Sequence, residues 1–239
     1  MIDKIVKHFN EFEDYVWSKK IIPIKASTLA KYYWCSRESY ITFIFENSQK
    51  LISKLEIDPE ELLVGEGEVL RKGIELHGGI KYGFYVYEMP IPPKDQVYEL
   101  AAGGSVIPRN LDIDIGNFQI QGAVDEIRLG DHGYIIKEMK TTRKTKIGTY
   151  ILAPAEFQVR IYGWILSNYL PVEKLELEFI HQETKEIICR KEVSFVEKQV
   201  EDEIIKIFRN YKSKRLMPPK SWKCEKRKIR KLCESITKK

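Results

Sequence analysis

Near the start of the chain, apolar side chains (Ile5, Phe9, Phe12, Val16) recur three or four places apart with charges between them. This spacing predicts an amphipathic helix over residues 3–18. Ser27 has the side chain of an N-cap and predicts a second helix carrying Leu29, Tyr33 and Arg37. Further helices are expected over 49–54 and 59–79. Residues 82–93 are aromatic and broken by prolines, so they read as a loop or an edge strand.

From residue 96 the period shortens towards two, and strands are expected over 97–100, 117–129 and 134–141 as a meander. A helix over 155–169 follows. Strands over 174–181 and 186–193 then flank the polar turn 182–185, and a last helix covers 197–212. No internal repeat or low-complexity segment interrupts this order. The pattern is that of an α/β protein, a mixed central sheet flanked by helices. Its organisation is one domain over 1–239: a helical N-terminal part (1–70), a core (71–200), and a C-terminal helix with a small cysteine-bearing appendage (201–239).

Composition narrows the setting. With 239 residues, 43% of them hydrophobic, the chain can bury a substantial core. No stretch approaches the roughly 18–20 apolar residues that span a bilayer, and the first helix is too charged for a signal peptide. A cytoplasmic protein with no membrane partner is expected. The net charge of +5 is unevenly spread: from Lys206 onward fourteen Lys and Arg stand against two acids. A tail of that kind is either a phosphate-binding surface or a solvated terminal helix. Cys35, Cys189, Cys224 and Cys233 are too few and too scattered for a disulfide scaffold, and suggest metal ligation or burial.

The candidate chemistry lies in Gln-Gly-Ala-Val-Asp125-Glu-Ile-Arg-Leu-Gly-Asp-His-Gly-Tyr-Ile-Ile-Lys-Glu138-Met-Lys140, two apolar strands around the turn 130–133. If Leu129 pairs with Tyr134, Asp125 faces Glu138 at roughly 5 Å between Cβ atoms. Two carboxylates opposed in an apolar sheet repel unless one is protonated or a cation bridges them. Lys140, two residues beyond Glu138, shares its face and is placed to neutralise a phosphate or orient a water. A Glu-x-Lys triplet alone is weak evidence, since Glu183-Thr-Lys185 is another; that one sits in a polar turn with no facing carboxylate. On the following helix Gln158 and Tyr162 are spaced i and i+4 and share a face. His77 is either a structural histidine late in a helix or a nitrogen ligand for a manganese-like ion. The run Tyr32-Tyr33-Trp34 reads as rings buried in a helix interface or as a platform for unpaired bases.

Taken in order, Gly73-x-x-x-His77, Gly122-x-x-Asp125, Glu138-x-Lys140 and Gln158-x-x-x-Tyr162 resemble the motifs of the PD-(D/E)xK nuclease superfamily, in its RecB-like branch. The resemblance covers residues 71 to about 166. It implies a restriction-endonuclease-like core and a Mg²⁺ or Mn²⁺ held by His77, Asp125, Glu138 and the carbonyl of Met139. It also implies a catalytic Lys140 with Gln158 and Tyr162 as accessory groups. The ends resemble the CRISPR-associated RecB-like exonucleases more narrowly, through Ser27 to Arg37 around Cys35 and through Cys224 and Cys233. In that family four cysteines hold an iron–sulphur cluster. Here Cys35, Cys224 and Cys233 match, and Arg227 stands where the third of the four would be. Three outcomes stay open: Cys189 as fourth thiolate, a non-cysteine ligand or three-cysteine cluster, or a lost cluster whose place is taken by packing. Zinc is a weaker fit, since it too wants four ligands.

The function this implies is hydrolysis of single-stranded or free-ended DNA, exonucleolytic by resemblance, in CRISPR spacer acquisition beside integration proteins. The alternatives are a DNA-binding adaptor of the same fold, a viral or recombination nuclease, and an iron–sulphur module with a structural or redox role.

Overall fold

The structure is a computed structural model and describes residues 2–55, 87–216 and 232–234. The expected helix over 59–79, with His77, lies outside the described residues, as do Cys224 and Arg227. Helix α1 (Ile2–Trp17) forms where the apolar period places it, and buries Ile5, Phe9, Phe12 and Val16. A short strand, β1 (Ile22–Lys25), then runs straight into α2 (Ala26–Ala30). Ser27 is therefore inside the first turn of that helix, and Lys25 takes the N-cap position.

The single helix expected from Ser27 through Arg37 is divided. A 3₁₀ turn (Lys31–Tyr33) ends it, Cys35 adopts an extended conformation (φ −160°, ψ 107°), and α3 (Ser36–Asn47) starts afresh. Every residue of α3 is buried. Several of its polar groups are bonded internally, as burial favours. Asn47 Nδ2 donates to the Pro23 carbonyl (2.8 Å), Thr28 Oγ1 donates to Glu46 (2.9 Å), and Lys25 pairs with Glu46 at 3.2 Å. Helix α4 (Gln49–Lys54) follows within the expected bounds.

Residues 97–100, expected as a strand, are helical and belong to α5 (Val97–Ala102). Val97 and Ala101 are the two buried positions, one helical turn apart, and four residues are too few for a period of two to outweigh that packing. The next strand, β2 (Val106–Ile113), carries Pro108, which suits its place at a sheet edge. It pairs antiparallel with β3 (Gly116–Ala123), and β1 lies parallel on the other side, in register Ile22↔Phe118.

The strand expected over 117–129 does not run through. It breaks at Val124 and Asp125, and β4 (Glu126–Leu129) belongs to a second sheet with β5 (Tyr134–Thr142), β6 (Val172–His181) and β7 (Ile187–Val193). One expected central sheet is thus two mixed sheets, ordered β1-β3-β2 and β4-β5-β6-β7. Strands β5 and β6 are parallel, joined through α6 (Thr149–Ser167), and the remaining pairs of the second sheet are antiparallel. Helix α6 starts six residues earlier than expected and continues through Pro154.

Helix α6 covers the second sheet's inner face, where Ile136, Leu175, Leu177 and Phe179 are buried. The outer face alternates to charge, with Glu178 against Arg190 (3.1 Å) and Lys137 against Glu126 (2.7 Å). Helix α7 (Glu197–Lys212), within its expected bounds, closes the core over the first sheet: Phe208 stacks on Phe118 (3.7 Å, 16°) and Tyr211 on Phe43 (5.4 Å, 26°). The N-terminal helices and α7 thus share one core with the sheets. No described helix is long and apolar enough to cross a membrane.

Candidate active site

The β4–β5 hairpin forms in the register expected from its turn, with Leu129↔Tyr134, Ile127↔Ile136 and Glu126↔Lys137. Continuing that register brings Asp125 opposite Glu138, but Asp125 is no longer in a strand. Its carboxylate turns onto the neighbouring backbone instead, and Oδ2 accepts the Met139 amide at 2.7 Å. The strand break and the acidic side chain are therefore one feature: Asp125 replaces a ladder bond that the departing chain leaves open. Since N–H and C=O of an extended residue point to the same side, the Met139 carbonyl faces the same edge.

Glu138 lies between the sheet and α6, 3% exposed. Its Oε1 accepts from Gln158 Nε2 (2.9 Å) and forms a close ion pair with Lys140 Nζ. Its Oε2 is buried with no hydrogen-bond partner among the described residues. The Glu138 carboxyl is pushed up to about 8, chiefly by burial, with Lys140 opposing the rise and the nearby Asp125 adding to it. Burial beside Asp125 thus favours the protonated form of this carboxyl even with Lys140 in place, and a second cation would favour the ionised one.

Gln158 organises the cluster. Its Oε1 accepts from Lys140 Nζ (2.9 Å), while its Nε2 donates to Glu138 and to Tyr162 Oη (2.7 Å). Both amide hydrogens are used, so the orientation of the amide is set by its partners. Tyr162, one turn further along α6, is 5% exposed and lies against Gly122. A Cβ at residue 122 would stand 2.7 Å from Tyr162 Cδ1, so the absence of a side chain in the Gly122-x-x-Asp125 segment is what admits the ring.

Asp125, Glu138, Lys140, Gln158 and Tyr162 are therefore brought together, and Met139 contributes backbone to the same place. His77 lies outside the described residues. Two carboxylates, one buried carboxylate oxygen without a partner and a backbone carbonyl form a hard-oxygen donor set, which suits Mg²⁺ or Mn²⁺.

The cysteines are distributed less simply. Cys35 is half-buried and Cys233 buried, and Arg37 Nη1 donates to the Cys233 carbonyl at 3.3 Å. The start of α3 and the residues around Cys233 thus meet. Cys189 stands on β7 opposite Phe179, within the second sheet. Of the aromatic run, Tyr32 and Tyr33 pack internally, against Tyr211 and Phe157, whereas Trp34 is half-buried beside Tyr150 of α6. The Trp34–Tyr150 pair was not legible in the sequence, since 116 positions separate the two rings.

Comparison with known proteins gives a likeness of fold. The chain is similar to the crystal structure of SSO0001, with a TM-score of 0.55 and 19% sequence identity, over 98% of this chain and 97% of that one. No family model and no curated protein matches the sequence.

Proposed function

We propose that this protein is a metal-dependent DNA nuclease whose centre is Asp125, Glu138 and Lys140, with Gln158 and Tyr162 in support. The observation that carries the reading is the unpartnered, buried Glu138 Oε2 beside a second carboxylate, an arrangement that a divalent cation would satisfy. Asp125, Glu138, the Met139 carbonyl and His77 are the groups that would hold Mg²⁺ or Mn²⁺. Bound there, the ion would supply Lewis acidity to the phosphate and acidify a water.

The chain's own residues do the rest. Lys140, its side chain one-third exposed, presents its ammonium where charge develops on the phosphate oxygens. Gln158 keeps that ammonium and the Glu138 carboxylate in a fixed relation, so neither rearranges as the substrate arrives. Hydrolysis joins a water oxygen to phosphorus and breaks the bond to one sugar oxygen. One water proton passes to that oxygen, and the other is released from the new phosphate monoester at neutral pH.

By the sequence resemblance, the substrate is single-stranded or free-ended DNA and the setting is CRISPR spacer acquisition beside integration proteins. An iron–sulphur cluster on Cys35, Cys224 and Cys233, with a fourth ligand in place of Arg227, belongs to the same proposal. It is supported by the meeting of the Cys35 and Cys233 segments. The test is degradation of end-labelled single strands with Mn²⁺: Asp125→Ala and Lys140→Ala should each lower the rate by at least about a hundredfold. Wild-type rates in either variant would place the centre elsewhere. An anaerobically purified protein that is colourless, free of iron and fully active would remove the cluster.

A further inference from the structure

The loop joining β5 to α6, Thr142-Arg-Lys-Thr-Lys-Ile-Gly148, carries three cations and no acid. It leaves the sheet two residues beyond Lys140, at the carboxyl end of a parallel strand, where open α/β sheets receive ligands. Arg143, Lys144 and Lys146 are exposed. They are not simply a solvated run. Arg143 Nε is held by Gln182 Oε1 at 3.1 Å. The Lys144 ammonium sits 4.7 Å from the centroid of the Tyr150 ring and bonds its hydroxyl. Tyr150 in turn lies 5.6 Å from Trp34, the rings inclined at 43° and both half-buried. Cations fixed beside an aromatic pair supply both halves of single-strand recognition: phosphate contact and a surface for an unpaired base. Tyr150 precedes Gln158 by eight helical residues, about 12 Å along α6, or three to four nucleotides at the stacked rise of about 3.4 Å.

We propose that Trp34, Tyr150 and the cationic loop of Arg143, Lys144 and Lys146 form a single-strand-binding rim that feeds unpaired DNA to the catalytic cluster. This rests on the nuclease reading for its direction but not for its binding. Duplex DNA hides its base faces in the stack, so the rim selects single strands by the aromatic pair and holds them through phosphates without reading sequence.

The test is fluorescence anisotropy in EDTA, where no cutting occurs, using labelled oligo-dT and a duplex of equal length. The double variant Trp34→Leu, Tyr150→Leu should bind oligo-dT about tenfold more weakly, the scale of one stacked base, and duplex within about twofold of wild type. Replacing Arg143, Lys144 and Lys146 by Ala should flatten the salt dependence for oligo-dT by up to about 2 in log–log slope, near 0.7 per phosphate lost. Tyr150→Leu alone, in the first turn of α6, serves if the double variant does not fold by circular dichroism. Folded aromatic variants that bind oligo-dT like wild type, or a wild type indifferent to strandedness, overturn the inference. A wild type without Mn²⁺-dependent cutting whose oligo-dT binding still depends on the aromatic pair keeps the rim and removes the nuclease reading. An active nuclease indifferent to these substitutions does the reverse.

Discussion

Replacing Glu138 by Gln isolates what its burial does. The folded carboxyl sits near 8 against an ordinary value of 4.5, so folding without metal must leave it protonated or charge it in a poor solvent. A raised folded value gives a contribution that is complete below about pH 4.5 and is lost as pH rises towards about 8. At pH 7, 2.5 pH units above the ordinary value, the loss at about 1.4 kcal/mol per unit comes to about 3 kcal/mol. Gln cannot ionise, and its amide oxygen can still accept from Gln158 and Lys140. In EDTA, Glu138→Gln should therefore melt about 6–12 °C above wild type at pH 7, taking roughly 2–4 °C per kcal/mol for a chain of this size. The difference should shrink towards zero at pH 5. Manganese should cancel the difference at a hundredfold excess over Kd, which adds roughly 3 kcal/mol to wild type alone, and invert the order at a thousandfold excess, which adds about 4 kcal/mol. Binding that releases the Glu138 proton should also tighten about tenfold for each unit by which pH rises towards about 8. Thermal melts from pH 5 to 9, with EDTA or Mn²⁺, measure all of this. Wild-type and variant profiles that run parallel across the window would refute the account of Glu138.

Other substitutions probe what surrounds the site. Gly122→Ala should push a methyl into the Tyr162 ring, lower stability by about 1–3 kcal/mol and reduce cutting with it; unchanged melting and activity would show that the contact relaxes freely. Arg109 lies 4.0 Å over the Trp164 ring and pairs with Glu197 at 2.9 Å. Arg109→Lys keeps the charge but loses the planar stack, and should cost about 1–2 kcal/mol, read as a urea midpoint. Gln119 bonds both backbone groups of Met89, at 2.6 and 2.8 Å, and so ties residues 87–93 to the first sheet. Gln119→Leu should free that segment and speed limited proteolysis between residues 87 and 96, while the core melts nearly as before. A cleavage pattern identical to wild type would mean that the segment is held by other contacts.

Much of the candidate site was legible because it depends on short-range geometry. A turn of known kind sets a hairpin's register, and that register put Asp125 across from Glu138. A period of two puts Lys140 on the face of Glu138, and one helical turn puts Gln158 beside Tyr162. Helices α1, α4 and α7 were legible for a related reason: each has a polar side that its sequence records as a stripe. Helix α3 has none. Buried all round, it carries Ser39, Thr42, Glu46 and Asn47 where an amphipathic pattern would have shown the way in, and only their distant partners explain them. The break at Val124 and Asp125 is hidden in the same way, since an uninterrupted run of strand-like residues does not say that its two halves join different sheets. Tertiary structure alone decided how far burial raises the Glu138 carboxyl, which three groups Gln158 connects, and that Trp34 meets Tyr150 beside the cationic loop. Local spacing orders residues along one element; desolvation and contacts across more than a hundred positions arise only once the elements pack.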